Sequence, residues 1–440
     1  MYTFENKPLK YVAVYGTISS NTTAPQTDCR TYRSGRTATN DGAQGEKMAK
    51  IKVLFPFIEA GFGHIMTEKS ICDSFEKKYG DRVEVIRNDF YKNSGRAMAN
   101  YEKMFTKSVK DFNKNVRYGY TVTNALKFFG GPVVADFLMK VMNPIAYKKS
   151  MAKLADIAPD VVVSTHWATV YYADHMPTKP LNVLYIPDVH AYELFCLPCD
   201  FAMVYTQKGY EEGLADNPAY NPDNFKLVPF AIRNEAYEVS RDKHEVRKQL
   251  GLKDKFTIYM VEGAYGIGMM ADLCKAIVDL DWDVNLVAVC GKNPKLEAKL
   301  GALESKGHTD LHVFGYLKNP LPYIAAADLY MGKSGNGLAE AAFYNVPIVV
   351  THSANDIEQR IASRYVDELK IATRKFKLDE ALDFVKQAMN GEGEYKQLAA
   401  VKVDPNLFGS EKIADEIYAQ IVKRFGEQPI CDKADNNENN

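Results

Sequence analysis

Short apolar runs alternate with helical patterns along most of the chain from residue 51 onward. The runs are nearly continuous in apolar residues, which is typical of parallel strands covered on both faces. They fall into two groups, separated by a charged stretch at 241–255. The first group is 51–57, 83–87, 160–165, 181–186, 201–205 and 225–230, and the second is 256–261, 284–290, 311–314, 328–331 and 346–351.

Two successive groups of alternating strands and helices predict an α/β protein with two doubly wound, Rossmann-like domains. Ligands bind beyond the carboxyl ends of the strands in such sheets, so the cleft between the domains is the expected active site. The predicted divisions are a disordered extension at 1–47, a first domain at 48–230, a second domain at 231–409, an amphipathic helix at 410–425 and a disordered tail at 426–440.

The first 47 residues differ from the rest because they are rich in Ser, Thr, Asn and Gly and lack a sustained apolar pattern. Met48 directly precedes the first apolar run. We hypothesise that Met48 is the natural start, since 44–47 could be the translation of a purine-rich ribosome-binding site.

Composition narrows the class of protein. The 440 residues are 46% hydrophobic and 25% charged, an ordinary globular composition, and the net charge of −1 gives no argument for nucleic acid. No run of 18 apolar residues and no secretory signal is visible, so we expect a protein of the reducing cytosol.

Seven scattered cysteines do not form a disulfide framework. Cys196 and Cys199 could be a metal half-site or a redox pair, but ordinary thiols are favoured.

Two glycine-containing turns join strands to helices. Gly61-Phe-Gly63-His64 follows the first strand and places His64 at the start of a helix, where it either acts in the cleft or only caps the helix. Gly263 and Gly266 lie in the first turn of the second domain, where backbone amides could hold phosphate. The alternative for this second turn is a flexible connection.

A third loop, Lys333-Ser334-Gly335-Asn-Gly337, leads into a helix that carries Glu340. The amides at such a helix start can hold a diphosphate, and the carboxylate can accept hydrogen bonds from ribose hydroxyls. A polar cluster with Asp356, Glu358 and Gln359 follows the next strand and suits hydrogen bonds to sugar hydroxyls. Its alternative is a solvated loop.

Residues 103–153 combine positive charge with an apolar helical face. They contain ten Lys or Arg and two Asp, a net charge of +8, which leaves −9 for the rest of the chain. This combination suits an anionic membrane surface, whereas the alternative is a helix that faces the core. The residues expected at the membrane or acceptor are Phe128, Phe129, Val133, Phe137 and Lys140, with Val134, Leu138, Val141 and Met142 on the same face.

These motifs resemble glycosyltransferase family 28, over about 51–425 and most strongly over 256–360. The matching signatures are Gly61-Phe-Gly63-His64, Val289-Cys-Gly291-Lys-Asn293, Val313-Phe-Gly315-Tyr316, Lys333-Ser-Gly335 with Glu340, and 356–359. The stretches 159–166 and 290–293 look most similar to the diacylglycerol branch, which includes monogalactosyldiacylglycerol synthases. The resemblance implies a GT-B fold and an inverting transfer of a hexose from a UDP-sugar, without a cofactor or a required metal.

The resemblance also implies roles for individual residues. The backbone from Phe314 through Tyr316 to Leu317 would hold uracil, and Glu340 would hold the ribose. Asp356, Glu358 and Gln359 would contact the sugar. Arg233 would face the phosphates, Lys333 would contact the donor and His64 would lie over the reacting centre. The residues lining the diphosphate would be Gly263, Gly266, Ser334 and Gly335.

The sequence departs from the family pattern at Phe62, Glu262 and Ala264, where glycine is usual. These departures bear on the donor sugar more than on the nucleotide.

An inverting transfer needs a base for the acceptor hydroxyl and stabilisation of the leaving diphosphate. His64 is the first candidate base, and Asp188 and His190, which follow another strand, are the reserve. The predicted protein is a peripheral enzyme on the cytoplasmic face of the cell membrane that glycosylates a lipid such as diacylglycerol. Two alternatives stay open: a UDP-sugar epimerase on the same fold, and a non-catalytic relative that binds nucleotide or lipid.

Overall fold

The alternating pattern folds into two six-stranded parallel sheets, as predicted. The computed structural model describes residues 50–58, 62–92, 103, 107, 121, 131–263, 266, 268–353 and 355–430, which all lie in one compact unit, Lys50–Asn440. The predictions for 1–47, for Met48, for Phe128 and Phe129 and for most of the tail fall outside the described residues.

The first sheet has the strand order β2-β1-β3-β4-β5-β6, and every neighbouring pair is parallel. Its strands β1 to β6 are Lys52–Phe57, Glu84–Asp89, Val161–Ser164, Leu181–Ile186, Phe201–Val204 and Phe225–Leu227. The chain leaves β1 towards β2 and then restarts on its other side with β3. A crevice therefore opens beyond the carboxyl ends of β1 and β3.

The second sheet repeats this plan with the order β12-β11-β10-β7-β8-β9. Its strands β7 to β12 are Thr257–Val261, Asn285–Val289, Asp310–Phe314, Leu329–Lys333, Ile348–His352 and Ala372–Arg374. The equivalent crevice lies beyond β7 and β10. Sequence analysis missed β12, because three residues at the sheet edge are too short to form a distinct apolar run.

Helices cover both sheets. They are α1 Phe62–Tyr79, α2 Gly131–Asp136, α3 Pro144–Ile157, α4 Trp167–Asp174, α5 Gln207–Asp216, α6 Lys243–Leu250, α7 Met270–Asp279, α8 Pro294–Gly301, α9 Leu321–Ala325, α10 Gly337–Phe343, α11 Asp356–Ser363, α12 Leu378–Met389, α13 Gly393–Ala399 and α14 Ser410–Phe425. π-Helical turns at Phe137–Met142 and Arg364–Glu368 continue α2 and α11, and short 3₁₀ turns occupy Glu193–Phe195, Asn234–Tyr237 and Pro405–Leu407.

The helix predicted at 410–425 returns the chain to the first sheet. Ile413, Ile417 and Ile421 are fully buried on one face of α14. The ring of Tyr418 stacks on Tyr79 of α1 with a centroid distance of 4.0 Å. One continuous apolar cluster runs from the first sheet through α14 to the second, so the two halves share part of their core.

Candidate functional site

His64 lies in the first turn of α1, beyond the carboxyl ends of β1 and β3. Its Nδ1 is 2.9 Å from the backbone oxygen of Thr165, and the Thr165 hydroxyl donates to the His64 carbonyl at 3.2 Å. Because a carbonyl oxygen only accepts, Nδ1 carries the proton and Nε2 is the basic nitrogen. The imidazole also contacts the rings of His166 and Phe195, with centroid distances of 5.4 and 6.4 Å. The carbonyl contact thus fixes Nε2 as the ring nitrogen that could act as a general base.

His166 is a second buried imidazole beside His64. Its Nδ1 accepts the backbone N–H of Ala168 at 3.1 Å and so caps α4. Burial, and the neighbouring His64, hold the pKa of His166 well below its ordinary value. His166 is therefore neutral, and the pair of imidazoles does not carry two positive charges.

Asp188 and His190 occupy the loop after β4, as predicted. Burial raises the pKa of the Asp188 carboxyl, and His64 is the charged group that opposes this rise. Asp188 therefore lies within electrostatic reach of His64. The ring of His190 lies 3.8 Å from that of the buried Tyr192, measured between centroids. The first half thus brings its three predicted catalytic side chains to one sheet edge.

In the second half, Glu262 directly follows β7, and its carboxylate lies at the start of α7. Its carboxylate accepts the backbone N–H groups of Met269 and Met270 at 2.9 Å each, and the hydroxyl of Thr351 at 2.9 Å. A side chain on Gly268 would collide with this carboxylate. The helix after the predicted phosphate turn at Gly263 and Gly266 begins at Met270, and the Glu262 carboxylate takes the backbone N–H groups of Met269 and Met270.

The two glycines of this loop adopt positive φ values, +68° at Gly263 and +58° at Gly266. A Cβ on Gly266 would come within 2.4 Å of the Leu296 side chain, and one on Gly263 would lie 3.8 Å from the stem of Lys333. Glycine is therefore required by conformation and by close packing at Gly266. The loop is held against the end of β10, where the third predicted loop begins.

Lys333 and Glu358, both predicted to contact the donor, form an ion pair with each other. Nζ of Lys333 is 2.5 Å from Oε1 of Glu358, and both side chains are about nine-tenths buried. The neighbouring Ser334 hydroxyl is 2.9 Å from that of Ser353, while the Cα of Gly335 faces open space. The backbone N–H of Ser334 donates to the His352 carbonyl at 2.9 Å, and a side chain would fit at Gly335 without a collision.

Arg233 and Glu340 are also paired. The Arg233 Nε and Nη2 atoms lie 2.8 and 2.5 Å from Oε1 of Glu340, and both side chains are largely buried. The two residues are 107 positions apart, and the contact joins the segment after the first sheet to α10. A guanidinium and a carboxylate predicted to bind the diphosphate and the ribose therefore meet at one place.

Contacts between the two halves show which of their segments face each other across the cleft. A Cβ on Gly63 would lie 2.8 Å from the side-chain amide nitrogen of Asn336, so the turn that carries His64 faces the loop before α10. Arg360 of α11 is 3.2 Å from Glu212 of α5 and 3.2 Å from Asp356. Gln359, the third predicted sugar-contacting residue, is exposed. The first turn of α11 thus adjoins the first half at the cleft.

The residues predicted to hold uracil lie at the end of β9. Phe314 packs on Tyr323 with a centroid distance of 5.0 Å, while Tyr316 is 53% exposed. A Cβ on Gly315 would lie 2.5 Å from the carboxylate of Glu297, the end of an exposed side chain that could move aside. Leu317 packs against the core shared by the two sheets. The carbonyls of Phe314 and Gly315 accept the backbone N–H groups of Cys290 and Gly291 at 2.8 and 3.2 Å.

The predicted membrane face points outward. Val133, Phe137 and Val141 are 63%, 53% and 65% exposed and recur every four residues, so the alternative of a core-facing helix is wrong for them. Ala135 and Met139 are the residues of this segment that enter the core. We call the exposed set the apolar stripe: Val133, Phe137, Val141, Met142 and Ile145. Lys140 lies beside it and pairs with Asp136 at 2.9 Å.

No group of side chains suited to a metal ion occurs among the residues that the structure describes. Within the same ranges, no helix is long and apolar enough to cross a membrane. Cys196 and Cys199 are free thiols, and burial raises the pKa of each to about 12. They are unreactive at neutral pH, as expected of ordinary thiols.

Sequence analysis did not assign roles to His166, to the Glu262 cap or to the Lys333–Glu358 pair. The sequence did contain a signal for His166, because this residue follows β3. Ligands bind beyond the carboxyl ends of β1 and β3, at the switch point where the strand order reverses. No local signal existed for the pairings, since each partner alone is an ordinary polar residue after a strand.

Two doubly wound sheets with polar loops facing across a cleft define the GT-B fold. A crystal structure titled as the glycosyltransferase of kitacinnamycin shares this fold with a TM-score of 0.53 and 12% identity, over 84% of this chain and 99% of that one. So does a UDP-GlcNAc 2-epimerase from Neisseria meningitidis bound to UDP-GlcNAc, with a TM-score of 0.51 and 11% identity, over 85% and 100%.

The sequence is similar to diacylglycerol glycosyltransferases. It is 21% identical over 334 residues to monogalactosyldiacylglycerol synthase 1 of Arabidopsis thaliana, covering 70% of this chain and 59% of that protein. It is 24% identical over 363 residues to the processive diacylglycerol beta-glucosyltransferase of Bacillus pumilus, covering 77% and 90%. No family model matches the chain. The relatives confirm the predicted resemblance to the diacylglycerol branch of glycosyltransferase family 28.

Proposed function

We propose that this protein is an inverting glycosyltransferase that moves a hexose from a UDP-sugar to a lipid hydroxyl, such as that of diacylglycerol, at a membrane surface. The observation that carries the proposal is the position of His64. The Thr165 carbonyl holds its basic tautomer at the β1/β3 switch point, and the adjoining Gly63 faces the Asn336 loop of the second half. The names of the relatives support a lipid acceptor.

In the proposed reaction, Nε2 of His64 removes the proton of the acceptor hydroxyl as its oxygen attacks the anomeric carbon. The bond from that carbon to the diphosphate oxygen breaks, and UDP leaves from the opposite face with the bonding electron pair. Asp188 stabilises the imidazolium that forms, since it lies within electrostatic reach of His64. Asp188 and His190 remain the reserve candidates for the base.

Donor binding requires an exchange of partners. Arg233 turns from Glu340 to the diphosphate, while Glu340 accepts hydrogen bonds from the ribose. Ser334 and the amides near Gly335 hold the remaining phosphate oxygens, and the 314–317 backbone holds uracil. Lys333 and Glu358, with Asp356 and Gln359, adjoin the sugar. We expect no cofactor and no metal in this reaction.

The apolar stripe provides the proposed contact with the membrane. Its exposed side chains lie within the 103–153 segment of net charge +8, and such a surface favours anionic lipid. We place the protein peripherally, on the cytoplasmic face of the cell membrane.

The test is incubation of the full chain with a panel of UDP-sugars and diacylglycerol in anionic vesicles, followed by mass spectrometry of the lipids. A lipid that gains one hexose mass, with release of UDP, is the expected result. A free epimerised sugar formed without lipid would instead show the epimerase, a fold relative of this chain. UDP binding without any product would identify a non-catalytic relative.

A further inference from the structure

One turn along α1 from His64, a carboxylate is buried with no exposed side-chain surface. This carboxylate belongs to Glu68. Its Oε1 and Oε2 atoms accept from Nε of Arg87 at 3.1 and 2.9 Å, and Oε2 also accepts from Nη2 of Arg87 at 2.7 Å. The Arg87 guanidinium in turn lies 4.3 Å from the ring centroid of Phe57, the last residue of β1. Buried ion pairs often add little net stability compared with apolar residues, so this pair calls for another reason.

The pair lies on the opposite side of β1 from the contact of His64 with Thr165. Arg87 belongs to β2, and Thr165 follows β3, while β1 runs between these two strands. Residues 64 and 68 are one helical turn apart and share a face of α1. The start of α1 is therefore fastened at two points, one on each side of the strand that leads into the catalytic turn.

The later turns of α1 are held by apolar packing of Ile71 and Phe75, so the two polar contacts act on its first turns, where His64 lies. The charged groups that act on Glu68 are Arg87 from β2 and Lys69 and Asp73 from α1 itself. The thiol of Cys72 lies in the same buried environment, and burial raises its pKa beyond the physiological range. Among these charged groups, Arg87 is therefore the partner of Glu68 that comes from another element of the fold.

We propose that the Glu68–Arg87 ion pair positions His64, by setting the rotation of α1 so that the Nδ1–H of His64 stays on the Thr165 carbonyl. Glu68 and Arg87 are positioning residues, since neither touches the reacting atoms. The inference rests on the proposed function only in taking His64 as the base. Its first readout, the tautomer of His64, does not depend on activity.

The first experiment uses ¹⁵N-histidine labelling of the full chain and its Glu68→Gln variant. The chain has eight histidines, and His64→Gln identifies the signal of His64. The wild-type signal should show a protonated Nδ1 and an unprotonated Nε2, and Glu68→Gln should shift His64 towards the other tautomer. An unchanged tautomer in Glu68→Gln overturns the proposal.

The second experiment measures transfer. Glu68→Gln should lower kcat about 10- to 100-fold with the donor KM within about twofold, because small displacements of a catalytic group slow the chemical step. Asp73→Asn is the matched control, since it removes the neighbouring Lys69–Asp73 pair from the same helix and should leave kcat unchanged. A lowered melting temperature with normal kcat would make the pair merely structural and overturn the proposal.

A third variant covers the case in which Glu68→Gln does not fold. Arg87→Lys keeps the charge but loses the forked contact, and it should shift the His64 tautomer and kcat in the same direction by a smaller amount. No shift in either readout counts against the proposal. A wild-type chain that transfers no sugar, but whose His64 tautomer responds to these variants, would remove the proposed function and leave the positioning role standing.

Discussion

The two halves end in similar sheet edges but hold charge there in different ways. In the first half, His64 is held by a backbone carbonyl and aromatic rings, and burial keeps the neighbouring His166 neutral. In the second half, three carboxylates have partners within the protein: Glu262 pairs with backbone amides, Glu340 with Arg233 and Glu358 with Lys333.

In the proposed reaction, the first half would transfer the proton and the second half would bind the donor. Under the proposed function, a general base has to be oriented before the substrate binds, and the contacts of His64 would provide this. The proposed donor diphosphate would need cations, and because an unpaired buried cation is costly, Arg233 and Lys333 each lie beside a carboxylate. Substitutions on the two sides should therefore change different quantities.

The largest effect should come from His64→Ala. If His64 is the base, kcat should fall about 10²- to 10⁴-fold while UDP binding by the second half is retained. Steady-state kinetics and calorimetric titration with UDP measure the two quantities. His244→Ala, at an exposed histidine of α6, is the control. Near-normal kcat with a lowered melting temperature would reduce His64 to a cap and pass the base role to Asp188 or His190.

Glu340→Gln should act on binding instead. The carboxylate is expected to hold the ribose, and charge-assisted hydrogen bonds contribute about 1.5–3 kcal/mol, so the Kd for UDP should rise about 10- to 100-fold. Calorimetry tests this, with Glu368→Gln as a control that breaks a separate ion pair, to Arg364, in the same half. An unchanged Kd excludes Glu340 from the donor site.

Phe137→Ser tests the apolar stripe, which belongs to the first half alone. Burying a phenylalanine side chain in the lipid interface contributes about 1.5–3 kcal/mol, so partitioning onto anionic vesicles should fall about 10-fold or more. Vesicle flotation measures it. Phe376→Ser, at a second-half aromatic residue of similar exposure, should bind normally. Equal loss in both variants would contradict a specific membrane face.

The pH dependence of stability should carry the signature of Glu68. Burial raises the pKa of its carboxyl from 4.5 to about 7 although Arg87 opposes the rise, so the ion pair with Arg87 is complete only above that pH. The folded protein therefore holds one more proton than the unfolded chain between these values, and the free energy of unfolding falls as the pH rises through this window, by up to about 3 kcal/mol.

Urea unfolding from pH 4.5 to 7.5 measures this dependence. Glu68→Gln should flatten the curve, whereas Asp73→Asn should keep its slope. Identical slopes in wild type and Glu68→Gln would show that the carboxyl does not titrate there.

The smallest effect is expected from Glu262→Gln. An amide can accept from only part of the set of Met269, Met270 and Thr351, so the variant should lose about 1–3 kcal/mol of unfolding free energy. Denaturant unfolding measures the loss. A simultaneous tightening of UDP binding would show that the carboxylate repels the donor.

Much of this architecture was predictable from local patterns. Continuous apolar runs predicted eleven strands, and the period of Ile413, Ile417 and Ile421 predicted the last helix. The glycine turns placed His64 and Lys333 at the carboxyl ends of strands, where the structure has them. The three-residue strand β12 was not predicted, because so short an edge strand does not produce a distinct apolar run.

The sequence alone determined which elements form and where the chemically capable side chains follow strands, because apolar period and turn residues act over a few positions. Only the tertiary structure decided which of those side chains meet. The partners Arg233 and Glu340 are 107 positions apart, and His64 and Thr165 are 101 apart. Contacts over such separations depend on the strand order of the sheets and on how the two halves pack, and no local pattern specifies either.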